Sequence, residues 1–392
     1  MNRLGILVAG GPAPGINGVI SGAVIEARKA NMEVFGFYNG WKWLTKGEAR
    51  YKTLQIRHVS RIHNKGGSIL RTSREGFLGD PKQMQKATQK LLELDVKQLI
   101  VIGGDGTAYS SYLLSRQVPE IQVVHVPKTI DNDLPLPGTI STFGFQTARH
   151  KGSEIVFDLM EDAATVGRWY FVVTMGRKTG HLALGIGKSS GATLTIIPEE
   201  FPHPKIRLSQ IADILETSIL KRLAMGNEHG VALLAEGLLA KLEEEDLSQF
   251  GKLEKDPSGH IRFSALNIGM VLKREVERRL KEKGMSLTIV SKNLGYELRS
   301  TSPIPFDQEY TRTLGYGAFS LLQKGYSGVL VTLQNQKLVP IPLETLLDAD
   351  GKRIRIRYVD ISTETYRVAR EYMIRLEKRD IEEEEMLERL CK

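Results

Sequence analysis

Cysteine is almost absent from this 392-residue chain, which carries only Cys391. That excludes a disulfide framework and every cysteine-rich zinc or iron–sulfur site, and the cytoplasm is the expected compartment. Long apolar runs are missing too. None approaches the ~18–20 residues of a membrane span, so no membrane partner is expected. The first apolar stretch, Leu4–Ala9, is stopped by Gly10, Gly11 and Pro12 and reads as a strand rather than a signal peptide. The 8 histidines show no H-x-x-x-H or His–Cys spacing, which argues against a dedicated zinc site. There is no G-x-S-x-G elbow of a serine hydrolase. Gly187-Lys188-Ser189 fails as a Walker A motif, because the glycine required five positions earlier is Leu182. Repeats and low-complexity linkers are also lacking.

What the chain does have is a mild basic excess, 54 Lys+Arg against 46 Asp+Glu. The basic residues are interleaved with acids, as along Lys273–Lys283, which is the pattern of a solvated helix face. Without a basic stripe, nucleic acid is not an expected partner. Glycine is the informative surplus, 38 residues, because glycines let backbone approach a ligand closely.

The first third alternates β-branched runs with helical patterns. Strands are expected at Leu4–Ala9, Glu33–Tyr38, Gln98–Ile102 and Gln122–Val126, and helices at Asn17–Lys29, Met84–Leu94 and Ala108–Ser115. Such alternation predicts an α/β fold with a doubly wound, mostly parallel sheet. After a Pro- and Gly-bearing linker, Leu134–Gly144, the pattern resumes. A helix is expected at Thr147–Ala163, strands at Trp169–Thr174, Ala192–Ile197 and Gly230–Leu234, and a helix at Leu208–Leu223. Lys241–Gly259 reads as a polar surface segment. A helix at Tyr310–Gln323, strands near Gly328–Leu333 and Lys337–Pro340, and a charged helical tail, Thr363–Leu390, complete the chain.

Ligands in such sheets bind at the carboxyl ends of strands, and three expected strands there run into unusual loops. Gly103-Gly104-Asp105-Gly106-Thr107 opens a helix, where exposed amides bind phosphate and Asp105 is placed to hold Mg²⁺ on a phosphate chain. The plain alternative is a tight turn with Asp105 as a helix cap. Gly10–Gly15 is a second such loop, without the G-x-G-x-x-G of a dinucleotide site. Pro127-Lys128-Thr129-Ile130-Asp131-Asn132-Asp133 sets a lysine, a hydroxyl and two carboxylates within a few residues of a buried strand. Lys128 can neutralise phosphate charge and Asp131 can take a proton from an attacking hydroxyl. The alternative is an Asx-rich turn. Arg74 is a candidate to reach a transferring phosphoryl group, and Met175-Gly176-Arg177 and Glu236 each end a strand.

In their order and spacing these segments resemble the phosphofructokinase family, from Leu4 to about Leu347, including Leu294-Gly-Tyr-Glu-Leu-Arg299 and Phe306-Asp-Gln-Glu-Tyr310. The resemblance implies two doubly wound subdomains with a cleft between them. One is a phosphoryl-donor part over about 1–143 and 300–345; the other is a sugar-phosphate part over about 144–299 and 346–392. It implies that Gly11, Arg74, Gly104, Asp105, Gly106 and Thr107 line the donor side, with Asp105 on Mg²⁺. Asp131 matches the general base for the sugar 1-hydroxyl, flanked by Thr129 and Asp133. Met175, Gly176, Arg177, Glu236 and Arg299 match the sugar-phosphate site. Arg168 matches an arginine lent across a subunit interface, which implies a homodimer or homotetramer, and Trp41 falls where an aromatic ring often lies beside the nucleotide. Three departures from other members stand out, at four positions. Tyr296 replaces a histidine on the sugar phosphate, and Val290 replaces an arginine for which Lys292 is the substitute. Ser21 and Ile25 replace the arginines of effector-regulated members.

The implied reaction is phosphoryl transfer to the 1-hydroxyl of fructose 6-phosphate, giving fructose 1,6-bisphosphate, a glycolytic step. For the donor, Gly106 stands where pyrophosphate-using relatives usually carry a second aspartate, which leaves room for the α-phosphate of ATP. Lys128 is shared by pyrophosphate enzymes and some ATP enzymes. The pair favours ATP. Pyrophosphate is the alternative, toward which Met175–Lys178 and Phe306–Tyr310 lean. A lipid- or NAD-type kinase would share only Gly-Gly-Asp-Gly, and a non-catalytic phosphate- or nucleic-acid-binding protein would not need Asp131.

Overall fold

The computed structural model describes residues 2–77, 80–250, 266–383 and 389–390. Residues 251–259 of the expected polar segment, Glu384 and Glu385 of the tail, and Cys391 lie outside the described residues. The chain forms two compact units, Met1–Ala148 with Tyr296–Arg357, and Arg149–Gly295 with Tyr358–Lys392.

The first unit holds β1 (Arg3–Val8), β2 (Glu33–Phe37), β3 (Tyr51–Leu54), β4 (Val96–Gly103), β5 (Gln122–Thr129) and β6 (Phe143–Gly144). The second holds β7 (Trp169–Thr174), β8 (Leu194–Ile196), β9 (Gly230–Ala235) and β10 (Ile289–Leu294). The chain then returns to the first unit with β11 (Val329–Gln334) and β12 (Lys337–Pro342). The larger sheet runs β12-β11-β5-β4-β1-β2-β3, with β6 paired to β5. Its outer pairs, β11 with β12 and β2 with β3, are antiparallel, and the rest are parallel. The smaller sheet, β10-β7-β9-β8, is parallel throughout. Strands such as Leu4–Val8 are covered on both faces, which is why they read as unbroken apolar runs.

Glycine serves packing as well as ligand approach. Helix Ile16–Lys29 lies against helix Pro305–Gln323 so closely that a Cβ at Gly22 would fall 2.5 Å from the Arg312 carbonyl oxygen. One at Gly315 would fall 2.2 Å from that of Val19.

Four expectations are corrected. The third of the loop-bearing strands does not stop at Val126: β5 continues to Thr129, with Pro127 in register with Gly103 and Lys128 with Phe143. Lys128 is therefore a buried strand residue rather than a loop residue. Leu134–Gly144 is not a linker. Leu134 and Leu136 join a first-unit core with Ala108, Leu330, Leu343, Leu346 and Ile354. The same core holds 346–357 in the first unit, so the second crossing comes after Arg357 rather than near 345, and the first crossing falls within helix Phe145–Val166. The tail is not one helix. Glu364–Glu371 and Lys378–Glu382 are separated by a stretch whose Ile374 amide donates to the Thr193 carbonyl, beside edge strand β8. Buried charges hold it there: Arg375 pairs with Glu200 at 2.7 Å and Lys221 with Asp380 at 2.7 Å. The half-buried edge strand β10 carried no clear period in the sequence.

Candidate active site

Strands β5, β4 and β1 are neighbours, so their carboxyl-end loops meet. A Cβ placed on Gly10 (φ +86°) would lie 3.6 Å from Lys128 Nζ and 3.9 Å from Thr107 Oγ1, and the Lys128 ammonium donates to the Gly11 carbonyl. Arg299, at the end of the short helix Tyr296–Arg299, brings its guanidinium carbon to 3.7 Å from a Cβ built on Gly11. It lies 5.4 Å from the centre of the Tyr296 ring, which is largely exposed. Arg74 is delivered to the same loop by backbone pairing: Gly10 N donates to Ser73 O at 2.8 Å, and Thr72 Oγ1 to Gly10 O at 2.7 Å. Three cations thus surround the end of β1.

That crowding shows in Lys128. Burial first, then the positive charge of Arg299, push its ammonium down to about 8, against the pull of Asp131; Arg74 adds to the push and Asp133 to the pull. An anion bound here would relieve the repulsion, which is how a phosphate site built around a buried cation works.

The β4 loop opens helix Asp105–Gln117 with Gly104 as its N-cap. The first amides of a helix are free of intrahelical partners and favour anions. Asp105 Oδ1 accepts from Gly106 N at 2.7 Å, and Thr107 is buried against Gly103. Asp131 is anchored by its amide, which donates to Thr129 Oγ1 at 3.0 Å. Asn132 adopts φ +54°, in the left-handed region, between Asp131 and Asp133. Its side-chain oxygen takes the Thr142 amide at 3.1 Å.

In the second unit, β7 and β9 are paired with Thr174 opposite Ala235, so Met175–Arg177 and Glu236 emerge side by side. Met175 N donates to Leu294 O at 3.1 Å, and Glu236 N to Thr174 O at 2.9 Å. Gly176 has φ +139°, which only glycine takes without strain, and Arg177 is exposed. Arg168 is not brought to this group. It precedes β7, at the amino end of that interior strand, and pairs with Asp162 at 2.8 Å.

Trp41 corrects the sequence reading. Its ring is 1% exposed and packs edge-on to Phe77, centroids 4.8 Å apart, in a core with Leu7, Phe35 and Phe37. A nucleoside needs an open aromatic face, and Trp41 has none.

Sequence reasoning missed three supporting groups. His125, fully buried in β5, has Nε2 at 3.0 Å from Gly103 O and Nδ1 at 3.1 Å from Ser111 Oγ. Burial pushes it down to about 3, so it is neutral; a carbonyl only accepts, so Nε2 carries the hydrogen and Nδ1 accepts from Ser111. It ties the glycine turn to helix Asp105–Gln117. Asp307, 0% exposed, accepts from Gly144 N, Thr147 N and Thr147 Oγ1 at 3.0, 2.9 and 2.6 Å, fixing the β6 partner of Lys128 and Thr129. Glu199 accepts the Gly180 amide with both oxygens, at 2.9 and 3.1 Å, and the Val359 amide at 3.1 Å, clamping the loop that carries Arg177. His125 and Glu199 stand alone outside any motif, and Asp307 lay within the Phe306–Tyr310 segment without a sign that its carboxylate would hold backbone.

Parallel sheets that gather glycine turns, carboxylates and cations at their carboxyl ends are suited to phosphoryl transfer, which is mostly positioning and charge stabilisation. The sequence profile named Phosphofructokinase matches residues 3–322, and the chain is an enzyme of the phosphofructokinase family. It is 51% identical to the pyrophosphate–fructose 6-phosphate 1-phosphotransferase of Thermotoga maritima, over 98% of this chain and 93% of that protein. It is 47% identical to the protein of the same name from Naegleria fowleri, over 99% and 91%. The ATP-dependent 6-phosphofructokinase of a Sulfurihydrogenibium species is 31% identical over 88% and 93%. The solved pyrophosphate-dependent phosphofructokinase of Nitrosospira multiformis shares the fold, with TM-score 0.72 at 17% identity over 96% of this chain and 93% of that one. Among the described residues no helix is long and apolar enough to cross a membrane.

Proposed function

We propose that this protein is a pyrophosphate-dependent fructose-6-phosphate 1-phosphotransferase, acting in the cytoplasm at the fructose 6-phosphate step of glycolysis. The observation that carries the donor assignment is the likeness, over almost the whole chain, to two relatives named for pyrophosphate at 51% and 47% identity, against 31% for one named for ATP. The closed environment of Trp41 agrees, since it removes the ring that was expected beside a nucleoside. The expectation of ATP, drawn from Gly106, is the second reading.

In this reading Asp131 takes the proton of the sugar 1-hydroxyl as that oxygen attacks the terminal phosphorus, and Thr129 and Asp133 flank it. Lys128, Arg74 and the amides of Gly11, Gly104, Gly106 and Thr107 hold the donor. Met175, Gly176, Arg177, Glu236, Tyr296 and Arg299 bind the sugar phosphate. Among the described residues no three His, Cys, Asp or Glu side chains cluster as a metal cage. Mg²⁺ commonly takes one or two carboxylates plus substrate phosphate and water, and Asp105, at a helix start in the glycine turn, fits that part. The ion would neutralise charge on the transferring phosphoryl group. Arg168 serves the sugar-phosphate site of a neighbouring copy in a homodimer or homotetramer; its place at the amino end of β7, away from the Met175–Arg177 loop of its own unit, supports this.

The test is purified protein with fructose 6-phosphate and Mg²⁺, offered pyrophosphate or ATP separately. Turnover with pyrophosphate well above that with ATP is expected. Turnover with ATP alone would return the assignment to the second reading.

A further inference from the structure

Arg357 belongs to none of the family-type motifs, yet its side chain is aimed at the turn that follows Asp131. Nε donates to Asn132 O at 3.1 Å, and Nη2 to Asn132 O at 3.0 Å and to Asn132 Oδ1. Nη1 donates to Ile140 O at 2.7 Å and Leu136 O at 3.4 Å. Its own amide donates to Asp133 O at 2.8 Å. A guanidinium is a planar fork of five donors, so one side chain gathers carbonyls from three points of a loop; an ammonium is a point charge and cannot.

The placement of these bonds matters more than their number. Asn132 holds φ +54° between Asp131 and Asp133, a left-handed conformation that strains a residue with a Cβ. Its side-chain oxygen is shared between Thr142 N and Arg357, and its carbonyl is held twice by the guanidinium. Thr142 Oγ1 in turn donates to Thr129 O at 2.8 Å. The residue next to Asp131 is therefore held through its side chain and through the Asn132–Asp133 peptide, and the backbone on which the Asp131 carboxylate is carried turns about that anchor.

We propose that Arg357 is a positioning residue for the general base: it pins the left-handed turn at Asn132 so that the Asp131 carboxylate points at the sugar hydroxyl. This rests on the assignment of Asp131 made above. General base catalysis needs the base within hydrogen-bond reach of its proton, and a misplacement of about 1 Å costs on the order of 10²-fold.

The test is steady-state kinetics of Arg357→Ala and Arg357→Lys, alone and combined with Asp131→Asn, with thermal melting as the check on folding. Arg357→Ala should lower kcat by about 10- to 10²-fold with both KM values within about threefold of wild type. Arg357→Lys, which keeps the charge and loses the fork, should fold and fall between the two. In the Asp131→Asn background the further loss should shrink below about threefold, because a pinned turn has no base left to aim. Hydrogen exchange at 132–142 should rise in Arg357→Ala. A folded Arg357→Ala or Arg357→Lys enzyme with wild-type kcat would overturn the proposal, as would a loss that persists in full beside Asp131→Asn, which marks a general staple. Wild-type protein inactive on fructose 6-phosphate with either donor would overturn the functional reading itself, a different outcome from wild-type turnover that Arg357 does not affect.

Discussion

The two sheets present their carboxyl ends in different ways. In the first unit one buried charge is the centre: Lys128 is enclosed, and the half-buried Arg299, Asp131 and Asp133 and the exposed Arg74 all act on its charge. In the second unit the backbone carries the arrangement. Arg177 is exposed, Gly176 turns through a positive φ, and the Glu199 carboxylate holds the loop from behind through the Gly180 amide. A buried charge is strongly coupled to its neighbours because the interior screens it poorly, so the first end should respond steeply to pH and to single substitutions. An amide-held loop should shift binding more gently.

The largest effect expected is on the base. Asp131→Asn should lower kcat on the order of 10²- to 10⁴-fold with little change in KM. A variant within a few-fold of wild type would make Asp131 a turn residue.

Lys128→Met comes next. Loss of a charge-assisted contact to the donor should cut kcat/KM for pyrophosphate by about 10- to 10²-fold. The pH profile sharpens this. With Lys128 titrating near 8 in the free enzyme, wild-type kcat/KM should fall above that pH as the ammonium is lost. The limb should vanish in Lys128→Met, whereas ionisation of the donor itself would leave it in place. The stability sign is opposite. The folded value lies below the ordinary 10.5, so the unfolded chain binds more protons between the two. Burial of the charge therefore costs stability below about pH 8, and that cost is relieved as pH rises toward 10.5. Urea midpoints of wild type and Lys128→Met should converge across that window.

Glu199→Gln probes the backbone-held end. The new amide group turns a donor toward the Gly180 or Val359 amide, which also donates. The KM for the sugar phosphate should rise about tenfold, equivalent to one charged hydrogen bond, with kcat within a few-fold. A loss in kcat alone would erase the contrast between the two ends.

The smallest effect on catalysis is expected for Trp41→Phe. The ring is a core element, so the substitution should cost about 1–3 kcal/mol of stability by leaving a cavity, while donor preference stays as in wild type. A changed ratio of ATP to pyrophosphate turnover would restore Trp41 to the donor site.

Much of this was legible beforehand because glycine turns and strand periodicity are local. Trp169–Thr174 was read at its true bounds, and the turns at Gly10, Gly103 and Gly176 fell where strands end. The Leu134–Gly144 segment was misread because its Pro and Gly residues look like a linker, while Leu134 and Leu136 are buried by residues some two hundred positions away. Trp41 was placed by the family resemblance, but its exposure depends on Phe77, which no local pattern announces.

The sequence by itself determined the α/β alternation, the loops at the strand ends and the residue types they carry. These depend on side-chain period and on where glycine permits close approach. Tertiary structure alone decided which side chains support that chemistry from behind. His125 beneath the glycine turn, Glu199 behind Gly180 and Arg357 across the Asn132 turn act over separations of 22, 19 and 225 residues. Such partners are fixed by the crossing of strands and the return of the chain, and a buried carbonyl or amide accepts whichever donor or acceptor the fold brings to it.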